Sequence, residues 1–308
     1  MTDPRSLYRL EPDVAERMQH APLLLVALDG FIDAGQVRGR LVSHLLETYE
    51  HTVVASFEVD ELVDYRGRRP LMTFSGDHWS SYDDPSLVLY RIVDDSGQPF
   101  LLLHGVEPDY RWESFAEAVH QLCLGFGVRT MVSAHGIPMA VPHTRPVGLT
   151  RYASDPSLLA PHEPLFGEVQ VPGSADSLLH VRLAEAGLTT MGVAVHVPHY
   201  LAEAKFCDAA LAALDAITAF TGLLVRRDAL VSAAELNRAE IAKELEASPE
   251  AREVVEGLEQ RYDRFVEGQR RRTLLASEVA DLPSADEIGA EFEEFLREVD
   301  ASDEDPQG

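Results

Sequence analysis

The sequence predicts an α/β fold: a three-layer α/β/α core followed by a helical C-terminal segment. Three observations predict it. Short apolar runs of strand length alternate with stretches whose apolar residues recur every three or four positions, the pattern of strands and helices packed in layers. Hydrophobic residues make up 45% of the 308 positions, ample for a core. Beyond residue 225 the helical periodicity continues, but charge rises sharply and strand-like runs cease.

The elements follow in order. Residues 23–28 are continuously apolar, which suits a central strand covered on both faces, and Asp29-Gly30 ends the run. Val37, Leu41, Leu45 and Leu46 mark a helix, and residues 52–57 a second strand, so a right-handed βαβ unit is expected. Residues 59–86 are polar, aromatic and turn-rich, a long loop. Residues 87–93 and 99–103 flank Asp94-Asp95-Ser96-Gly97-Gln98 as a hairpin. A helix over 112–124 leads to a strand over 128–134. Six prolines and little periodicity make 135–166 a loop, and 168–171 reads as a short strand. A helix over 175–186, a strong strand over 188–197 and an alanine-rich helix over 201–224 close the core, which is assigned residues 1–225.

The segment 226–300 reads as helical, with 301–308 a disordered tail. Ser232-Ala233-Ala234-Glu235 and Ser284-Ala285-Asp286-Glu287 have the form of capping boxes, and Ser248-Pro249 places an N-cap before a proline in the first turn. Ala251, Val255, Leu258, Tyr262 and Phe265 step by three and four, as in a helix–helix seam. Phe292, Phe295 and Val299 form an apolar face within a stretch, 284–308, that carries ten acids and one base.

Composition excludes several function classes. A net charge of −26 opposes phosphate backbones and anionic membranes, so neither nucleic acid nor membrane is expected as a partner. No apolar run reaches the roughly 18–20 residues that cross a bilayer. Met1-Thr2-Asp3-Pro4 does not open a signal peptide, and a cytoplasmic location is expected. The two cysteines, Cys123 and Cys207, sit in apolar helical patterns and read as buried thiols.

Candidate chemistry gathers where strands end. The turn holding Gly30, Asp33 and Gly35 lies between a strand and a helix, the place where phosphates bind in nucleotide proteins. Its spacing matches no phosphate-binding motif, lysine is absent nearby and two aspartates would repel an anion, so Asp33 reads as a helix cap. His104 and His135 each follow a strand, and His143, His196 and His199 lie further on without the spacing of a metal site. No nucleophile elbow is present, and Ser133 beside His135 makes no dyad by adjacency alone. Neither a metal nor another cofactor is therefore expected. Arg66, Arg68 and Arg69 in the long loop, and Arg145 between prolines, suit either carboxylate contacts across an interface or ion pairs within the chain.

Several segments together resemble one family. They are Gly30-Phe31-Ile32-Asp33-Ala34-Gly35; Asp64-Tyr65-Arg66-Gly67-Arg68-Arg69-Pro70 with Asp77-His78-Trp79; His104-Gly105-Val106-Glu107-Pro108-Asp109 with Trp112; Pro138-Met139-Ala140-Val141-Pro142-His143-Thr144-Arg145-Pro146; and Val197-Pro198-His199-Tyr200-Leu201. In this order they resemble the motifs of the PAC2 (proteasome assembly chaperone) family, bacterial branch. The resemblance implies a phosphorylase/hydrolase-like α/β/α core, oligomers built from it, and proteasome subunits as candidate partners. It makes Gly30, Asp33, Gly35, Arg66, Arg69, His104, Glu107, Asp109, Trp112, His135, His143, Arg145, His199 and Tyr200 candidates for interface or ligand loops, and it assigns no catalytic residue. The sequence ends Asp303-Glu304-Asp305-Pro306-Gln307-Gly308, where eukaryotic relatives carry a hydrophobic-tyrosine-any tail, so any proteasome contact is expected to take another route.

Two functions compete. One is a non-catalytic homo-oligomeric protein-binding factor, a trimer before a dimer, meeting its partners around the aromatic and arginine-rich long loop. The other is a small-molecule binder or enzyme using His104, His135 and Asp33 at the strand ends.

Overall fold

A computed structural model describes residues 3–12, 20–159 and 167–280. Among the described residues ten strands form: β1 (Tyr8–Leu10), β2 (Leu23–Asp29), β3 (His51–Phe57), β4 (Met72–Ser75), β5 (His78–Tyr82), β6 (Leu87–Val93), β7 (Pro99–Val106), β8 (Thr130–Met139), β9 (Leu149–Ala153) and β10 (Thr189–Pro198). The longer helices are α1 (Val37–Thr48), α2 (Trp112–Phe126), α3 (Ala175–Glu185), α4 (Cys207–Thr221), α5 (Asp228–Ala247) and α6 (Pro249–Ala280). Eight strands make one mixed sheet in the order β1-β3-β6-β7-β2-β8-β10-β9, and β4 and β5 form a separate two-stranded ribbon. β7, β2, β8 and β10 run parallel at the centre, while β6 and β9 flank them antiparallel.

The central strand shows why the sequence needs two covering layers. Along β2, Leu23, Leu25 and Ala27 point into one buried cluster with Val37, Leu41, Phe206 and Ile217, from the α1–α4 side. Leu24, Val26 and Leu28 point into the other, with Phe115, Leu122 and Leu179 of α2 and α3. Side chains alternate along a strand, so a strand apolar at every position must be covered on both faces. Each such burial contributes roughly 1.5–3 kcal/mol. The α/β/α core is therefore built as expected.

Some elements differ from expectation. β2, α1 and β3 form a parallel crossover, but β7 and β6 lie between the two strands. The loop expected over 59–86 contains the β4–β5 ribbon. The loop expected over 135–166 begins as strand, because β8 keeps pairing with β10 up to Pro198↔Met139. Its register with β2 ends at Ser133, so Pro138 lies past the point where its missing N–H would break that ladder. Leu149–Ala153 adds a further strand, while 168–171 forms none and is exposed.

α4 begins at Cys207, later than the sequence predicts, because the backbone before it is committed to the strand-end turn. Gly35 N–H donates to the Ala202 carbonyl at 2.9 Å, and Phe206 N–H to the Gly35 carbonyl at 3.0 Å. Gly35 adopts φ 70° there. α5 begins at Asp228, which leaves Ser232 inside the helix and not at its cap. Ser248 does cap α6: its Oγ accepts from Ala251 N–H at 3.2 Å. The Ser284 capping box and the Phe292 face lie outside the described residues.

The chain divides into two compact units, Met1–Val255 and Glu256–Gly308. In the first, Leu230 and Ile241 of α5 belong to the same buried cluster as α1 and α4. In the second, described to Ala280, Leu258 is buried and Phe265 exposed.

Two predictions follow from this packing. A Cβ at Gly136 would lie 1.9 Å from the Ala34 carbonyl oxygen, a backbone atom that cannot step aside alone. Gly136→Ala is expected to lower unfolding free energy by about 2–3 kcal/mol in urea titrations. Truncation after Leu224 is expected to aggregate, since it strips Leu230 and Ile241 from the core, whereas truncation after Val255 should retain a cooperative melt by circular dichroism.

Candidate functional site

The C-terminal ends of β2, β7, β8 and β10 meet around a buried arginine. Arg38, in the first turn of α1, is only 6% exposed. Its Nη1 donates to the Leu28 carbonyl at 2.9 Å, and its Nη2 lies 3.7 Å from Asp176 Oδ2. Gly30 makes room for it, since a Cβ there would sit 2.7 Å from Nη1. The Asp33 carboxylate accepts from Arg38 N–H at 3.0 and 3.1 Å and from Gly136 N–H at 3.4 Å. Gln36, not Asp33, holds the N-cap position of α1, but the Asp33 carboxylate takes a first-turn amide of that helix and also ties the turn to β8. Burial raises its pKa, and the backbone donors partly offset this.

Glu107, past the end of β7, is buried, and its Oε1 accepts from Ala175 N–H at 2.7 Å. A carboxylate at a helix N-terminus is favourable in the helix field, yet burial dominates and raises its pKa. Asp109 holds the start of the long loop, with Oδ1 on Arg68 Nη2 at 2.6 Å and Oδ2 on Asp64 N–H at 2.7 Å. Arg68 Nη2 also donates to the Glu107 carbonyl. The loop arginine that reaches the strand ends is therefore Arg68. Arg66 and Arg69 are exposed.

Three histidines show how the site spends its polar groups. His104 Nδ1 lies 2.9 Å from the Ala27 carbonyl and so carries the proton. His180 Nε2 is 2.9 Å from Ser133 Oγ, which in turn lies 3.1 Å from Asp176 Oδ2. With one hydroxyl proton available, Ser133 donates to Asp176 and accepts from His180. This polarity is the reverse of a nucleophilic serine, and Ser133 is 1% exposed. His135 is held down to about pKa 4, first by burial and then by the Arg38 charge. Its Nδ1, with Arg38 Nε and Asp176 Oδ1, is buried without a hydrogen-bond partner.

A second group lies beside the first, on the loops after β8 and β10. Tyr200 Oη accepts from His143 N–H at 2.9 Å and lies 2.7 Å from His143 Nδ1. His199 packs edge-on against Tyr200 with ring centroids 5.6 Å apart. Arg145 Nη1 folds back to Thr144 at 3.4 Å. Trp112 stands apart at the start of α2, donating from Nε1 to the Pro108 carbonyl at 2.6 Å. Among the described residues no group of three or more His, Cys, Asp or Glu is arranged to hold a metal ion. None of the described helices is long and apolar enough to cross a membrane. Both thiols are buried, and burial pushes Cys123 up to about 12. A concavity of about 590 Å³ lies at the other end of β7, lined by Asp95, Leu214, Thr218 and residues 222–228.

Sequence reading missed Arg38, Asp176 and His180. Arg38 had one available signal: it falls on the side of α1 that Val37, Leu41 and Val42 bury.

The depressed His135 pKa has a defined consequence. In the fold the ring stays neutral to about pH 4, whereas the unfolded chain takes up a proton below its ordinary 6.5. Stability is therefore full above that value and falls as pH drops from about 6.5 to 4, by roughly 3 kcal/mol for this residue. Asp33 and Glu107, with raised values, act in the opposite direction. Urea titrations of His135→Gln across pH 4–7 are expected to show a visibly flatter acid limb than the parent. An unchanged limb would show that His135 does not drive it.

Comparison with known proteins places this architecture. A model of the PAC2 family matches residues 27–245. Comparison with curated proteins finds no match. Among solved structures, a Mycobacterium tuberculosis protein of unknown function is 42% identical, with a TM-score of 0.82 over 87% of this chain and 92% of that one. A Corynebacterium glutamicum protein of unknown function is 37% identical, with a TM-score of 0.78 over 85% and 98%. A Mycobacterium tuberculosis proteasome-assembly chaperone homologue shares the fold at 22% identity, with a TM-score of 0.67 over 76% and 99%. With a family match running from the end of β2 into α5, the chain belongs to the PAC2 family.

Proposed function

We propose that this protein is a non-catalytic, homo-oligomeric binding factor of the assembly-chaperone type, acting in the cytoplasm on other proteins. Family membership supports a chaperone-like role. One observation carries the binding reading over a catalytic one. The strand-end groups with chemistry to offer, Asp33, Glu107 and Ser133, are held in internal hydrogen bonds. Five exposed large apolar side chains, Leu71, Met72, Phe74, Trp79 and Tyr82, are grouped on and beside the β4–β5 ribbon, with Arg66 and Arg69 just before it in the chain. Exposed aromatics beside arginines are the composition of protein interfaces.

The partner class follows from a relative with the same fold that is described as a proteasome-assembly chaperone homologue. Proteasome subunits are the partners we propose, with a trimer as the assembled form. Arg66 and Arg69 would present guanidinium groups to partner carboxylates. A second reading has a specific observation behind it. The unpartnered Arg38 Nε, His135 Nδ1 and Asp176 Oδ1 could receive a small polar ligand at the strand ends.

The test uses the full chain on a biosensor surface with purified proteasome α-subunits. Binding is expected, and Arg66→Ala/Arg69→Ala should weaken it about tenfold or more. An absence of binding, or a variant that binds equally well, would remove the proteasome from this proposal. A clear thermal shift with a small polar metabolite would favour the second reading instead.

A further inference from the structure

We propose that a single buried water bridges Arg38, His135 and Asp176, and that this water completes the ion pair joining α1 to α3. This rests on the second reading above, a small polar ligand at the strand ends, and names the molecule that the buried atoms take.

The pair itself is the first observation. Arg38 Nη2 and Asp176 Oδ2 are 3.7 Å apart, whereas a direct contact between such groups closes to about 2.7–2.9 Å. A polar gap wider than about 3.5 Å is the separation that a water spans. Bulk solvent does not fill it, because the two side chains are only 7% and 6% exposed. The second observation is independent of the first. Arg38 Nε, His135 Nδ1 and Asp176 Oδ1 are each buried without a hydrogen-bond partner, and buried polar atoms in native proteins are almost always paired. The three belong to one neighbourhood. Side chains alternate along a strand, so Ser133 and His135 share a face of β8. Ser133 Oγ already lies 3.1 Å from Asp176 Oδ2. The charges of Arg38 and Asp176 both act on His135.

Chemistry selects the guest. Arg38 Nε–H only donates, a carboxylate oxygen only accepts, and a neutral imidazole nitrogen does one or the other according to its tautomer. The guest must therefore accept one hydrogen bond, donate another and make a third of either kind. Water does this, and three hydrogen bonds are typical of a buried water. Charge asks for the same molecule. A cation would lie against the Arg38 guanidinium and an anion against the Asp176 carboxylate, so a neutral guest is favoured over both. Enclosure asks for a small one, since Ser133 beside the site is 1% exposed. In place, the water supplies the hydrogen bonds that the 3.7 Å pair leaves unmade, and it links α1, β8 and α3 at one point.

The first test is a high-resolution crystal structure of the full chain. One spherical density peak is expected within about 3.2 Å of Arg38 Nε, His135 Nδ1 and Asp176 Oδ1. Density that extends beyond one atom would overturn the water and leave a small polar ligand at the strand ends standing. Direct contact between Arg38 and Asp176 with no density between them would remove both. The second test compares urea titrations of Arg38→Met, His135→Leu and the double variant at about pH 7, where the His135 ring is neutral. A shared water makes the two losses overlap. The folded-to-unfolded ratio of the double variant is therefore expected to exceed the product of the single effects by about threefold or more. Effects that simply multiply would overturn the bridge. Where Arg38→Met fails to fold, the crystal structure of the parent decides.

Discussion

Arg38 places a guanidinium 6% exposed beneath the ends of the central strands, and much of the local sequence can be understood as what that burial requires. A buried cation is tolerated only when it is paired and hydrogen-bonded, and removing one partner from such a pair costs several kcal/mol. The Leu28 carbonyl and the Asp176 carboxylate face it, and Ser133 and His180 hold Asp176 from the other side. Gly30 is small because Nη1 lies where its Cβ would be. Asp33 fixes the backbone from which Arg38 projects. The two layers of helices are thereby coupled through the sheet, since Arg38 stands on α1 and Asp176 on α3.

Most of the fold was legible in the sequence because period-two and period-four apolar patterns report burial directly. The run over 23–28 is an instance, with odd and even positions feeding separate clusters. What escaped prediction was set by contacts distant in sequence. Residues 202–206 have the composition of a helix, but their backbone is used by Gly35. Pro138 argues against a strand until one sees that β2 has already left β8. The ribbon hides in a polar stretch because only one of its faces is apolar and its strands are four and five residues long.

The candidate residues were legible as turns and strand ends, less so as partners. Gly30, Asp33, His104, Glu107, Asp109 and His135 do gather at neighbouring strand ends, and His143, His199 and Tyr200 gather beside them. The buried members around which they are arranged were not legible. A charged residue on a buried helix face is indistinguishable from a surface one until its partner is known, and Arg38 and Asp176 are separated by most of the core sequence. All three loop arginines are exposed, but Arg68, between the two singled out, is the one that ion-pairs with Asp109. Its pair is partly exposed and worth little by itself. Its consequence is geometric, because it fixes where the foot of the ribbon leaves the body.

That geometry connects the buried network to the surface. Glu107 accepts from the first amide of α3, and the carbonyl of the same residue receives Arg68. Asp109 then receives Arg68 on one oxygen and the Asp64 amide on the other. A short path of hydrogen bonds thus runs from beneath the sheet to the start of the loop that carries Arg66, Arg69 and the ribbon. A surface that must meet partners repeatedly in one orientation gains from such a base, because ordering a loose arm at the moment of contact would cost about 0.5–1.5 kcal/mol for each immobilised side chain. In this reading the strand-end polar network, which in an enzyme of similar architecture would face a substrate, is turned inward to hold a binding arm in place.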